Sequence, residues 1–381
     1  MPFKLYNFIF YITMAAFGYF NIYFQDAGLD SFQIGLVNAI PRFFALLLMP
    51  FWGFLTDYFH ENKKVLFITL LGTLATVLLF PQSGSFKFLM LLMFFYTLFQ
   101  NPIVPLSDSL LLDYLGDNSN HYGKFRLWGS AGYMLSVSFL GYFLESTSSA
   151  NLFYVYAVIL ILSIFLLKFL PKSKREIEVL NPGDFKKIFR KKRLLYFLFF
   201  VFILQTAMNA NYSYFPLYII DHGGGEFLVG IALTISSASE ILAFFFSDRI
   251  IKNNKFSKII AVISIGFMIR WLLLSLFPYN PIILLSQLLH SITFGLFFAV
   301  GVDYVDQISG EKFRATGQNI YAGVFMGVSA ISGSLIGGKI YQLAGGESMY
   351  FFWSLISAAA GIIYSIYLLK KERELEQNAD Q

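Results

Sequence analysis

Apolar runs of about 20 residues, the length an α-helix needs to cross a hydrocarbon layer, recur from one end of this chain to the other. Reading the runs between polar breaks gives twelve candidate spans: Leu5–Gln25, Gln33–Asp57, Val65–Phe80, Phe88–Leu115, His121–Leu144, Leu152–Leu170, Leu194–Ile220, Phe227–Arg249, Lys258–Phe277, Pro281–Gln307, Arg314–Leu343 and Tyr350–Leu369. A water-soluble reading fails on charge. Only 13% of the 381 residues are charged and 57% are hydrophobic, against about 25% charged in a soluble domain. The expected fold class is an all-α membrane protein of about 12 transmembrane helices. With no cysteine, neither a disulfide frame nor a Cys-ligated metal site is available, and no metal or cofactor is expected. The first run lacks a signal-peptide cleavage pattern and reads as a retained span.

The loops differ sharply in basic charge. Those after even-numbered spans, together with the termini, hold Lys63, Lys64, Lys124, the run Lys172–Arg193, Arg249–Lys258, Lys312, Arg314 and Lys370–Arg373, whereas the opposite loops hold one basic residue, Lys87. By the positive-inside rule both termini and the 171–193 linker are expected on the cytoplasmic side of the cell membrane. The basic linker then sets topology and touches anionic lipid. The bilayer and a small-molecule substrate are the expected partners, the chain acts as a monomer, and no nucleic acid is expected.

The linker lies near the middle, and the chain repeats itself across it. The ten residues from Tyr19 to Gly28 align with those from Tyr214 to Gly223 at an offset of 195, which also pairs Phe32 with Phe227 and Gly35 with Gly230. Lys124-Phe125-Arg126 recurs as Lys312-Phe313-Arg314 at an offset of 188. Two matches in the same order, each in the same span of its half, point to a duplicated six-span unit. The expected domains are a six-helix bundle at 1–170, the linker 171–193, a second bundle at 194–371 and a tail at 372–381. Parallel duplicated halves describe the major facilitator architecture, in which substrate binds near the midplane and rocking of the halves gives alternating access.

An ionisable group inside a span costs about 2.5–3.5 kcal/mol on insertion scales and is functional by default, with a partner. Asp108 lies eight residues before Gly116, a suitable helix C-cap, and Arg126 seven after Ser119. Both therefore sit roughly 11–12 Å deep at 1.5 Å per residue. Such a pair either neutralises itself as a structural bridge or grips a polar ligand. Glu240 and Arg270 repeat the arrangement in the second half, twelve residues before and fourteen after the turn at Lys252–Phe256. Glu240 and Asp108 are the candidates for carrying a proton, since a carboxylate away from water favours its neutral form. Arg42, after Pro41, has no acidic neighbour in sequence and needs a partner on another helix. His290 is a candidate relay or ligand contact. Gln205 and Asn209 either line a cavity or join helices, as do Asn211, Gln318 and Asn319. The small residues Gly333 and Gly337 favour close helix approach. No Walker-type phosphate loop is present, and no interfacial catalytic cluster favours an enzyme.

Several strings carry a family resemblance. Gly53-Phe54-Leu55-Thr56-Asp57 resembles the start of the major facilitator loop signature, degraded after His60, and implies a gating or structural role for Gly53 and Asp57. Pro105 to Ser109, Tyr122 to Gly132, Ser239-Glu240-Ile241, Arg270-Trp271 and Gln287 to His290 together resemble the phenylpropionate-permease-like branch of that superfamily, and more distantly lactose permease and nucleoside–proton symporters. The resemblance implies substrate contacts at Asp108, Arg126, Glu240, Arg270 and His290, to which the reading of the spans adds Arg42, Gln205 and Asn209 as candidates. It also implies departures from lactose permease: Thr293 stands where that protein's coupling carboxylate falls, and Met326 where its span-eleven lysine falls. The function implied is proton-driven symport of a sugar, nucleoside or aromatic acid. A drug or metabolite antiporter and a non-transporting nutrient sensor are the alternatives.

Overall fold

The computed structural model describes residues 2–59, 62–116, 121–171, 191–310 and 314–379. Every expected span is helical, and no strand occurs among the described residues. The helices are α1 (Pro2–Asp26), α2 (Ser31–Phe59), α3 (Asn62–Leu79), α4 (Phe86–Leu115), α5 (Tyr122–Glu145), α6 (Asn151–Leu167), α7 (Lys192–Asp221), α8 (Glu226–Asn253), α9 (Phe256–Leu276), α10 (Asn280–Ser309), α11 (314–344) and α12 (346–379). Large apolar side chains stand exposed along them, among them Phe139, Phe245, Leu343 and Ile363. That much outward apolar surface suits lipid and not water.

Several helices depart from regularity or from their expected bounds. In α1, Gly18 and Tyr19 donate to the carbonyls three residues back, Ala15 and Ala16, which tightens the helix into a break. In α4 the break falls at Asn101–Pro102, where proline has no N–H to continue the ladder. Gly345, at φ 80° and ψ 174°, separates α11 from α12 in a conformation open to glycine. Finally, α12 runs on past its expected end to Ala379, so the segment expected as a tail continues the helix.

The duplication is visible in the backbone. Gly28 closes α1 at φ 91° and Gly223 closes α7 at φ 76°. In the first, Leu29 N–H reaches Phe24 O and Gly28 N–H reaches Gln25 O; in the second, Gly224 N–H reaches Ile219 O and Gly223 N–H reaches Ile220 O. These are two copies of one Schellman cap, at the offset that aligns the sequence strings. Tyr19 donates to the Val137 carbonyl on α5, and Tyr214 to the Ser334 carbonyl on α11. Small residues bring the same helix pairs together. A Cβ on Gly132 would meet Phe8 O at 2.2 Å, and one on Gly333 would meet Thr206 O at 2.5 Å.

By internal contact the chain forms two compact units. One takes in α1 to α6 with Phe215–Thr234, which is the end of α7 and the start of α8; the other takes in the remainder of those two helices with α9 to α12.

Candidate functional site

Among the described residues each unit gathers a cluster of ionisable side chains between its helices. In the first unit, Asp108 of α4 accepts a hydrogen bond from the Tyr122 hydroxyl of α5, with Arg126 near enough to act on it electrostatically. Tyr122 and Arg126 lie one turn apart, so both present to α4 from the same face. The Arg126 guanidinium lies 3.9 Å from the centroid of the Tyr11 ring on α1. Beside it, Tyr6 and the Ser107 hydroxyl are 3.2 Å apart, and Asn7 donates to Phe125 O at 3.2 Å. Asp108 and Arg126 therefore act on one another electrostatically while each is held by a different tyrosine. An aromatic ring holds the cation and a phenol holds the anion.

The second unit builds its cluster around Arg270 of α9, only 1% exposed. Its guanidinium donates to His290 Nδ1 at 3.0 Å, Thr293 Oγ1 at 2.9 Å and Gln287 Oε1 at 2.8 Å, and approaches Met208 Sδ at 3.7 Å. All three oxygen and nitrogen acceptors come from α10. That helix is irregular at this point, with a 3-10 turn over Gln287–Leu289 and π-helical geometry over Ser291–Leu296. In a 3-10 turn the side chains at i and i+3 eclipse, which stacks Gln287 and His290 in line with the guanidinium. Ser236 and Ser239 of α8 donate to Gln287 Oε1 and to its backbone carbonyl. Arginine can only donate, so His290 Nδ1 is the acceptor and the neutral ring carries its hydrogen on Nε2. Nε2 lies 3.8 Å from Glu240 Oε2, on a side chain 27% exposed. The pairing expected between Glu240 and Arg270 thus runs through His290.

Taking a cation out of water costs several kcal/mol. Three bonds to neutral acceptors, at about 1.5–3 kcal/mol each for a charged donor, offset that cost. The Arg270 Nε–H has no acceptor.

The sequence fits the MFS_1 like family over residues 2–352. The chain belongs to that family. It is 26% identical to a maltose permease of Geobacillus stearothermophilus over 97% of this chain and 94% of the relative. It is 24% identical to a probable 3-phenylpropionic acid transporter of Escherichia coli over 90% of each. A sucrose permease of Escherichia coli is 24% identical over 97% and 93% of the two chains. Among solved structures, the nucleoside transporter NupG superposes with a TM-score of 0.82 at 17% identity, covering 97% of this chain and 98% of its own, which bears on the fold alone. As a member of the MFS_1 like family the protein is a multi-pass membrane transporter and not an enzyme.

The structure places the other sequence candidates as follows. Arg42 lies 5.7 Å from the Phe17 ring on α1. Asn209 donates to Gln205 O and to Ser329 Oγ on α11, a helix-joining contact. Gln205 is 1% exposed, and its amide nitrogen has no hydrogen-bond partner. Gly53 and Asp57 lie within α2, with their side chains outside the described residues, as are His60, Glu61 and most of the 171–193 linker. Sequence reasoning passed over Tyr11, Tyr122, Gln287 and Thr293 as partners. Helical spacing was the available signal: Tyr122 is four residues before Arg126, and Gln287 three before His290.

Proposed function

We propose that the protein is a secondary active transporter that couples the inward movement of protons to uptake of a small hydroxylated or aromatic solute, by alternating access, with both termini in the cytoplasm. The observation that carries this reading is the Arg270–His290–Glu240 chain. A fixed cation rests against a neutral imidazole, which disfavours a second positive charge there and leaves the partly exposed Glu240 to take up and release the proton. The first-unit cluster supplies the matching half of the proposal. Asp108, Tyr122 and Arg126 offer an acceptor, a donor–acceptor and a planar cation beside Tyr11, a set suited to hydroxyl groups and to flat rings. The named substrates of the relatives, maltose and sucrose among them, favour a sugar. Three basic side chains, Arg42, Arg126 and Arg270, disfavour a cationic drug.

The test is uptake of labelled sugars, nucleosides and aromatic acids into sealed proteoliposomes, with and without an inward proton gradient. Accumulation of one solute class that rises with the gradient supports the proposal. Uptake unaffected by the gradient contradicts the coupling, and outward-directed transport favours the antiport reading.

A further inference from the structure

His290 is held by rings as well as by Arg270. Its imidazole lies 4° from parallel to the Phe294 ring with 5.1 Å between centroids, within the offset-stacked range. Phe298 continues the column at 6.1 Å and 11°. These residues recur at every fourth position of α10, where a regular α-helix would rotate successive side chains by about 40°. The π-helical stretch Ser291–Leu296 carries an extra residue in its turn and takes up that rotation, so the rings lie parallel. A second π-helical stretch, Gly323–Val328 of α11, packs against the first. Its buried Phe325 stands at 66° and 5.9 Å from Phe294 and at 77° and 5.4 Å from Phe298. Tyr212 of α7 meets both His290 and Phe294 edge-on at 75°. Such π turns are rare and recur at functional sites; here each carries a ring of one stack.

The stack bears on a contact left just open. His290 Nε2 and Glu240 Oε2 are 3.8 Å apart, beyond the reach of about 3.2 Å for a hydrogen bond. Arg270 pins the other side of the imidazole at Nδ1, so a pivot about that bond decides whether Nε2 reaches the carboxylate. Among the described residues, the charged and titratable groups around the imidazole are Arg270 from α9, Glu240 from α8 and Tyr212 from α7. The imidazole cannot pivot without disturbing its stack on Phe294.

We propose that Phe294 is a positioning residue that sets the separation of His290 from Glu240. Phe325 ties that setting to α11, so that a shift of α11 turns the imidazole toward Glu240 or away from it. The inference rests on the proton-coupling reading.

Nitrogen NMR of the purified, histidine-labelled protein tests it, with the His290 signal assigned by its loss in His290→Gln. Wild type is compared with Phe294→Leu, Phe294→Tyr, Phe325→Leu and Phe298→Leu, the last removing the ring two turns from His290. Melting curves confirm folding, and the pH profile of uptake is recorded for each in proteoliposomes. The wild type should show one neutral imidazole form with its hydrogen on Nε2. Phe294→Leu should add a second form and displace the pH of half-maximal uptake by about half a unit, the equivalent of one ring–ring contact. Phe325→Leu should do the same to a smaller degree, Phe294→Tyr should restore the wild-type signal, and Phe298→Leu should leave it unchanged. A wild-type signal and pH profile in folded Phe294→Leu overturn the proposal, as does an equal change in Phe298→Leu. An unmoved signal in Phe325→Leu overturns the link to α11. Wild-type uptake indifferent to the proton gradient defeats the coupling reading instead, and the His290 signal then reports separately on whether Phe294 positions the ring.

Discussion

The two clusters use the same residue types, an acid and an arginine on neighbouring helices, yet are built in opposite ways. Arg270 is buried and hydrogen-bonded on one side by three neutral acceptors from α10. Arg126 is half-buried against the face of Tyr11, with Asp108 turned to Tyr122. A guanidinium held by three fixed acceptors is a scaffold: it orders the helices around it and sets the charge felt by His290 and Glu240. A guanidinium resting on a ring has its fork available for a bidentate acceptor. Under the proposed function the difference separates the roles, with the second unit moving the proton and the first holding the solute.

The strongest way to break this comparison is Glu240→Gln. Proton-driven accumulation should fall to the background of empty vesicles, while exchange of labelled for unlabelled solute, which needs no net proton movement, persists. Loss of both activities would put Glu240 in the solute site. Next in size is a matched pair, Arg270→Met and Arg126→Met. Removing Arg270 leaves its buried acceptors unsatisfied at about 1–3 kcal/mol each, so the melting temperature should drop by several degrees. Removing Arg126 forfeits a cation–π contact of about 0.5–2 kcal/mol and should leave the melting temperature close to wild type while abolishing solute binding. Equal destabilisation by the two would erase the distinction. A smaller effect is expected of Thr293→Asp. A carboxylate within reach of Arg270 Nη1 should draw the guanidinium into an ion pair, weaken its bond to His290 and displace the pH at which uptake is half-maximal; an unchanged pH profile would detach the arginine from coupling. The smallest change is predicted for Asn209→Ala, which removes a helix-joining bond worth about 0.6–2 kcal/mol in a membrane. Its solute affinity should match wild type, and a clear loss of affinity would return Asn209 to the binding site.

Much of the fold was legible because membrane burial forces apolar runs of one length, and because the duplication kept its turn chemistry. The string ending at Gly28 and its copy ending at Gly223 encode one helix cap twice, and both adopt it. Within the site, charge was legible and neutrality was not. Asp108, Arg126, Glu240, Arg270 and His290 stand out in an apolar span by their cost alone. Gln287 and Thr293 carry no such signal, and the bonds that hold Arg270 run to them. The link through His290 was hidden for a further reason. It depends on the 3-10 and π turns of α10, which the apolar pattern around Leu288 and Ile292 does not mark. The break at Gly18 lies inside a hydrophobic run that hydropathy reads straight through, and the one at Asn101–Pro102 is marked only by two amides and a proline within a span otherwise apolar.

The central claim is that the proton travels on Glu240. Its most direct test is to add solute to lightly buffered, de-energised proteoliposomes and record external pH with a fast electrode, comparing wild type with Glu240→Gln and Asp108→Asn. The account predicts a transient alkalinisation when solute enters through the wild type. In Glu240→Gln it predicts continued solute entry with no pH change, and in Asp108→Asn the loss of entry and pH change together. Alkalinisation that persists in Glu240→Gln would contradict it and move the proton elsewhere.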